Sequence, residues 1–416
     1  MEPGRVIVPL AVCALLALLA GCGADKDDAL GNRIAGTSLT IYSSMPLSGA
    51  SSASGRAVLA GEELALDQSR GRIGKYRILL RSVNDATAQR GEWDPGQTTL
   101  NAHQAIQDRT TIGYIGELNS GASAVSIPLL NRLGIPQISP ASTAVGLTID
   151  GPGAGPGEPQ KYYPTGVRTF ARVTPNDQVG AAAMISLQLG LGCKQVYVLE
   201  DGEVDGEDTA ATFELEAEGS RLKVVAVQMF DPQATDYTSL AHSVAQTNAN
   251  CVLISAIADE HAALLSKQIA AALPAAMIFG SAGLAESTYA DPQQGGIPLT
   301  LDPRAMVVVA TLHPADAPAA ARSFYAAYAR RYGPAQPDAI FGYEAMSLML
   351  NAIDRATDRG RTAALRSKVL AAIFATRNRR SVLGTYSIDR NGDTTLRQYG
   401  IWTVVDGRLQ FWKAIA

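Results

Sequence analysis

The chain has 416 residues, and its 35 Lys and Arg residues against 39 Asp and Glu residues give a formal net charge of −4. Only 18% of the residues are charged, and no extended Lys/Arg run or basic stripe interleaved with aromatic residues occurs, so no nucleic-acid partner is expected. The length allows two domains of ordinary size.

The N-terminal segment predicts export from the cytoplasm. Residues 6–20 form an uncharged apolar run behind Arg5, too short to span a membrane, which is typical of a signal peptide over residues 1–21. The run closes in Leu19-Ala20-Gly21-Cys22, which resembles a lipobox, and this resemblance implies cleavage before Cys22 and lipid attachment to it. The alternative is an ordinary signal peptide with a chance cysteine. Residues 22–36 would form a tether.

From residue 38 onward, short β-rich runs alternate with longer helix-like stretches, which is the pattern of an α/β fold with parallel sheets. The first half predicts strands at 39–43, 76–83, 112–115 and 135–139, separated by helices at 55–69, 98–107 and 122–132. These elements make one doubly wound unit. Its strand ends converge on one edge, where sheets of this type bind ligands.

A Gly- and Pro-rich stretch at 148–166 interrupts this alternation of strands and helices and predicts a long loop. A second series follows, with strands predicted at 170–173, 195–200, 223–229, 251–256 and 277–280 and helices between them. The remaining elements are a strand at 305–310, helices at 318–332, 339–356 and 362–375, and terminal strands at 384–389, 396–405 and 408–414. Two successive units predict two similar, Rossmann-like lobes.

Short motifs at the predicted strand ends carry a family resemblance. They are Met45-Pro46-Leu47-Ser48-Gly49, Asn84-Asp85, Gly116 with Ser120, Ile138-Ser139-Pro140 before Ser142-Thr143, Phe170-Ala171-Arg172-Val173 before Pro175-Asn176-Asp177-Gln178, and Tyr343-Glu344-Ala345. In this order the chain resembles the branched-chain amino-acid (Leu/Ile/Val) binding proteins, the substrate-binding subunits of ABC importers with the type I periplasmic binding fold. The resemblance implies two lobes joined by a three-crossover hinge. We expect lobe 1 at 37–169 plus 307–398, and lobe 2 at 170–306 plus 399–416.

In lobe 1, polar residues follow two predicted strands. Asn119, Ser120 and Gly121 open a helix, so free backbone N–H groups and the positive helix end face the cleft. Ser142 and Thr143 follow the next strand and add hydroxyl and amide donors. The resemblance implies that these positions hold a ligand carboxylate. The alternative is that the serines only cap helices.

In lobe 2 the family's residues are not kept. Asp205 stands where the family has a tyrosine, and Ala282 where it has the acid for a ligand ammonium. An uncompensated ammonium in a closed cleft is unfavourable, so amino-acid specificity stays open. Asp205 could replace the acid from another wall or be a solvated loop acid. Tyr343 either walls the cleft or is a core aromatic residue.

The remaining cysteines predict a disulfide. Cys13 leaves with the signal peptide and Cys22 takes the lipid, whereas Cys193 and Cys251 stand at the first and third strands of lobe 2. In a doubly wound sheet these strands are neighbours, and outside the cytoplasm disulfides persist. The alternative is two buried free thiols.

Motifs of covalent chemistry are missing from the sequence, which has no Gly-x-Ser-x-Gly, His-Glu-x-x-His or Walker loop and only 4 scattered histidines. We therefore expect no enzyme, cofactor or metal site. The expected function is a monomeric, extracytoplasmic, lipid-anchored protein that delivers a small polar, carboxylate-bearing solute to ABC permease subunits. The alternatives are a ligand-sensing receptor subunit with the same fold and a cell-surface enzyme.

Overall fold

The computed structural model describes residue 1 and residues 31–257, 260–311 and 317–415. The predicted signal peptide beyond residue 1, the lipid site Cys22 and the tether up to residue 30 lie outside the described residues. Within the described residues, no helix has both the length and the apolar character that crossing a membrane requires.

The strands of the described residues are short and mostly buried. In chain order they are β1 (Ser38–Met45), β2 (Arg72–Ile73), β3 (Tyr76–Asn84), β4 (Thr111–Ile115), β5 (Gln137–Ser139), β6 (Phe170–Arg172), β7 (Gln195–Glu200), β8 (Lys223–Met229), β9 (Cys251–Ser255), β10 (Met277–Gly280), β11 (Ala305–Val309), β12 (Arg379–Ser381), β13 (Gly384–Tyr386), β14 (Tyr399–Val405) and β15 (Arg408–Ile415). Strands β4, β5, β6 and β9 are buried at every residue, which is typical of parallel sheets covered on both faces.

Helices connect these strands. In chain order they are α1 (Ser52–Gln68), α2 (Pro95–Gln107), α3 (Ser120–Asn131), α4 (Asp177–Gly190), α5 (Val204–Glu218), α6 (Thr238–Ala245), α7 (Glu260–Ala272), α8 (Ser287–Ala290), α9 (Ala319–Tyr332), α10 (Ala339–Ala356) and α11 (Arg366–Phe374). Their order confirms the predicted α/β alternation. Helix α5 starts five residues before the predicted start at 209, and this places Asp205 in its first turn.

Two sheets form the cores of two lobes. The first has the order β2-β3-β1-β4-β5-β6 and is parallel except for β2. The second has the order β15-β14-β11-β10-β9-β7-β8, with β14 and β15 antiparallel at one edge. The doubly wound, two-lobed type I fold expected from the sequence is therefore present.

The chain passes between the lobes three times, after β6, after β11 and before β14. Two of the expected boundaries need correction. Residues 170–172 pair with β5 and belong to the first sheet, whereas lobe 2 was expected to begin at residue 170. Strand β11 lies wholly in the second sheet, although lobe 1 was expected to resume at residue 307. A run of buried residues predicts a strand but does not indicate which sheet the strand joins. The lobes of β6 and β11 were therefore predicted wrongly from the sequence.

Helices α1 and α10 are packed with their backbones in contact. A Cβ atom on Gly61 would lie 2.2 Å from the carbonyl oxygen of Ala339, and one on Gly342 would lie 2.2 Å from that of Val58. Only glycine permits this approach at either position. The close packing sets the position of the first turn of α10, from which Asp338 and Phe341 reach the space between the lobes.

A disulfide joins Cys193 and Cys251, whose Cα atoms are 5.8 Å apart, and this confirms the predicted pairing. The bond is possible because β7 and β9 are neighbours, with Val196 opposite Cys251. It closes a loop with a sequence separation of 58 residues. In the chain-entropy model, a loop of that length stabilises the fold by about 4 kcal/mol.

Candidate ligand-binding cleft

A cleft of about 700 Å³, including the part open to solvent, lies between the lobes at the carboxyl ends of the strands. Its polar lining on the side of lobe 1 includes Ser51, Ser54, Asn119, Thr143, Thr174 and Asp338. On the side of lobe 2 the polar lining is Asp205, Glu286 and Tyr399, with Ile257, Ala282 and Gly283 between them. This is the switch-point position where open α/β sheets bind ligands.

Ser120 and Thr143 bind a carboxylate that belongs to the protein. The hydroxyl of Ser120 donates to Oδ1 of Asp205 at 2.9 Å, and the hydroxyl of Thr143 donates to the same atom at 3.0 Å. Ser120 Oγ also accepts hydrogen bonds from the backbone N–H groups of Thr143 and Ala144. The expected anion site is therefore formed, and the side chain of Asp205 from the opposite lobe occupies it.

Asp205 is not a solvated loop acid, because the first turn of α5 directs it across the cleft onto lobe 1. Burial raises the pKa of Asp205 above its usual value, and the hydrogen bonds from Ser120 and Thr143 and the charge of Arg172 offset only part of this rise. Charged hydrogen-bond acceptors of this kind are favoured over neutral ones. Asp205 thus fills the place that the resemblance assigns to a ligand carboxylate.

Three of the expected site residues lie away from the cleft wall. The hydroxyl of Ser142 is fully buried, 2.8 Å from the hydroxyl of Ser123 and 3.1 Å from the carbonyl oxygen of Glu117, so it joins two loops of lobe 1. Gly121 lies under Trp93, where a Cβ atom would approach the indole ring within 2.5 Å. The hydroxyl of Tyr343 donates to Gln68 on α1. All three residues therefore make their contacts within lobe 1, and for Tyr343 this agrees with the alternative of a packed aromatic residue.

Two acids that the sequence analysis did not single out line the cleft. Glu286 precedes α8 in lobe 2 and is 3% exposed, and Asp338 precedes α10 in lobe 1. Ser54 lies beside both acids and lowers the pKa of each, which offsets part of the rise that burial causes. Burial and the neighbouring charge of Asp338 raise the pKa of Glu286 to about 8. In the sequence, the one sign of this role was that Glu286 lies four residues after Ala282, the position where the family has its acid.

A buried arginine fixes the loop that carries Thr143. Arg172 is fully buried, and its Nε donates to Oδ1 of Asp393 at 2.6 Å. Its Nη1 donates to the carbonyl oxygens of Ser142 and Ala144, and its Nη2 donates to the hydroxyl of Thr148. All of these partners are internal to the fold, so Arg172 acts as a positioning residue for the cleft wall.

Helix α5 makes further contacts across the cleft. Asp208 accepts a hydrogen bond from the backbone N–H of Val145 at 2.8 Å, and the hydroxyl of Thr212 donates to the carbonyl oxygen of Pro152 at 2.9 Å. Pro152 lies in the Gly- and Pro-rich loop, which therefore packs on lobe 2. At the rim, Arg90 of lobe 1 pairs with Glu203, just before α5.

Sequence and structure comparisons agree with this architecture. The sequence profile of the family described as "Periplasmic binding protein" matches residues 40–408. At the level of single sequences, no curated protein matches the chain.

Solved structures share the fold. The leucine-binding protein LivK of Thermotoga maritima superposes with a TM-score of 0.76 at 22% identity, over 91% of this chain and 98% of that one. LivJ of Streptococcus pneumoniae, solved with isoleucine, gives 0.74 at 18% identity over 91% and 99% of the chains. An ABC-transporter solute-binding protein of Rhodopseudomonas palustris, solved with 3,4-dihydroxybenzoic acid, gives 0.71 at 17% identity over 91% and 97%.

Proposed function

Because the chain belongs to the periplasmic binding protein family, we propose that it captures a small polar solute outside the cytoplasm and delivers it to an ABC importer. The leucine-binding protein, LivJ and the dihydroxybenzoate-bound protein share this fold, and this supports a solute-binding role for the chain. The observation that carries the proposal is the cleft between two lobes, lined by hydroxyl and carboxyl groups from both. Closure of two lobes around a solute is the established behaviour of such proteins.

From the residues of lobe 1, we expect the solute to carry a carboxylate, as leucine, isoleucine and dihydroxybenzoic acid do. Such a solute would bind Ser120 and Thr143 by displacing the carboxylate of Asp205 from them. The displaced carboxylate of Asp205 would then lie close to the carboxylate of the solute. A carboxylate-bearing solute is therefore one candidate, and its binding requires that Asp205 move away or take up a proton.

A thermal-shift screen tests the solute-binding proposal. We expect one class among leucine, isoleucine, benzoate and small amines to raise the melting temperature, because a solute at 100 times its dissociation constant stabilises the fold by about 2.7 kcal/mol. For a carboxylate-bearing solute, replacing Ser120 with alanine should weaken binding by roughly tenfold, since it removes one hydrogen bond to the carboxylate of the solute. If no solute of any class shifts the melting temperature, the proposal is wrong.

We further propose that the protein works as a monomer, in contact with the membrane only through a lipid and with ABC permease subunits as its protein partners. Genes for a permease and an ATPase next to its own would support transport. A neighbouring sensor gene and no transporter genes would instead favour the ligand-sensing receptor.

Lipid attachment at Cys22 is supported by the apolar run and small residues that precede it. Metabolic labelling with a fatty acid should mark the wild-type protein and fail to mark Cys22→Ser, because the thiol is the only attachment atom that the motif offers. Cys13→Ser serves as the matched control and should label normally. Equal labelling of Cys22→Ser would show that the cysteine follows an ordinary signal peptide.

A further inference from the structure

We propose that the solute is an organic cation, an amine without a carboxylate, held between the carboxyl groups of Glu286, Asp338 and Asp205. This inference rests on the proposed function and names the class of solute that the same cleft takes. It concerns residues that lie outside the family's usual ligand positions, since Ala282 stands where the family has its acid.

The charge of the cleft points to a cation. Its described lining contains three acids, Asp205, Glu286 and Asp338, and no Lys, Arg or His. The guanidinium of Arg172, the nearby cation, is bonded to Asp393 and to backbone carbonyl oxygens. The ionised forms of these acids repel an anionic solute, whereas an ammonium group is attracted by them and can take the place of the proton on Glu286.

Two buried oxygen atoms of the lining lack a donor among the described residues. They are Oε2 of Glu286, whose residue is 3% exposed, and Oδ1 of Asn119. Both are acceptors, and a buried acceptor without a donor destabilises the fold. The N–H groups of an amine supply donors to both, while a carboxylate supplies none.

Asp205 also removes the need for a carboxylate on the solute. Its Oδ1 lies 2.9 Å from Ser120 Oγ and 3.0 Å from Thr143 Oγ1, so the hydroxyl donors of lobe 1 already have an anion. A solute without a carboxylate can bind while Ser120 and Thr143 keep their hydrogen bonds to Asp205. Glu286 and Asp338 come from opposite lobes, so one ammonium group between them draws the lobes together.

The protonation of Glu286, next to Asp338, predicts how the affinity for an amine depends on pH. Glu286 faces Asp338 before α10, Ser54 on α1 and, across the same cleft, Asp205 on α5. Burial raises the pKa of Glu286 to about 8, so an amine that binds at neutral pH must expel a proton from it. The affinity for an amine that stays protonated throughout should rise between pH 6 and pH 8.

Isothermal titration of the purified protein tests the proposal, with cadaverine and agmatine as cationic probes and glutarate and leucine as controls. We expect the cations to bind, and Glu286→Gln and Asp338→Asn each to weaken binding at least tenfold. Glu216→Gln removes a charge from the exposed face of α5, away from the cleft, and should change the affinity less than twofold. Circular dichroism of each variant shows whether it is folded.

Binding of glutarate or leucine without binding of either cation would overturn the inference and leave the proposed function standing. Binding of the cations that is unchanged in folded Glu286→Gln and Asp338→Asn would also overturn it. If none of the four probes binds, the inference fails for amines, and the wider thermal-shift screen then decides whether the solute-binding proposal survives.

Discussion

Replacing Arg172 with leucine is expected to lower the free energy of unfolding by about 3–5 kcal/mol, because removal of one partner leaves a buried ionic group without compensation. In the variant, Asp393 loses its cation, and the carbonyl oxygens of Ser142 and Ala144 lose their donors. Urea denaturation monitored by circular dichroism measures the loss.

Arg390, an exposed arginine in the neighbouring turn, provides the matched control. Arg390→Leu should change the free energy of unfolding by less than about 0.5 kcal/mol, as most surface substitutions do. Arg172→Lys should recover only part of the loss, because an ammonium group cannot reproduce the planar fork of a guanidinium. A loss below about 1 kcal/mol in Arg172→Leu would show that the surrounding loops do not depend on this residue.

The protein is expected to be most stable in mildly acidic solution, and to lose on the order of 10 kcal/mol of unfolding free energy between pH 5 and pH 8. Burial raises the pKa of Asp85 and of Asp201 to about 7, and that of Glu286 to about 8. In the unfolded chain these groups titrate near 4. The folded state therefore holds protons that the unfolded state has released, and this contribution is complete below about pH 4 and lost as the pH rises through 7 to 8.

One pair of acids shows the cause most directly. Asp85 and Glu117 are both fully buried, and burial raises the pKa of each carboxyl group, while the charge of Asp85 raises the pKa of Glu117 further. Tyr114 donates a hydrogen bond to Glu117 at 2.8 Å. Melting temperatures measured at pH 5.5, 7 and 8 should fall steadily, and the fall should be shallower in the double variant Asp85→Asn, Glu286→Gln. A melting temperature that rises over this range would contradict the assignment.

Much of the fold could be predicted because each strand and helix has its own local pattern. The alternation of strand and helix, and the pairing of Cys193 with Cys251, followed from such patterns together with the neighbour rule for doubly wound sheets. A strand near the hinge can join either of the two sheets, and the packing across the hinge decides which one. The residues of β6 and β11 carry no sign of that choice, and their lobes were assigned wrongly for this reason.

The cleft was predicted less completely, because its walls come from segments far apart in the chain. A hydroxyl at a strand end looks the same in sequence whether it faces the cleft, as Thr143 does, or is buried behind it, as Ser142 is. Glu286 and Asp338 belong to different lobes, and no spacing rule connects them. Asp205 was identified by its departure from the family pattern, but only the start of α5 shows that it crosses the cleft.

The contacts of α5 determine how the cleft can open. Asp205, Asp208 and Thr212 lie along one helix, and they are bonded to lobe 1 at Ser120, at the loop of Thr143 and Val145, and at Pro152. A helix moves as a rigid rod, so these bonds cannot be released one by one as the hinge turns. Packed interfaces of this kind change between discrete arrangements and are not continuously deformable. The lobes are therefore expected to separate cooperatively, in one all-or-none step.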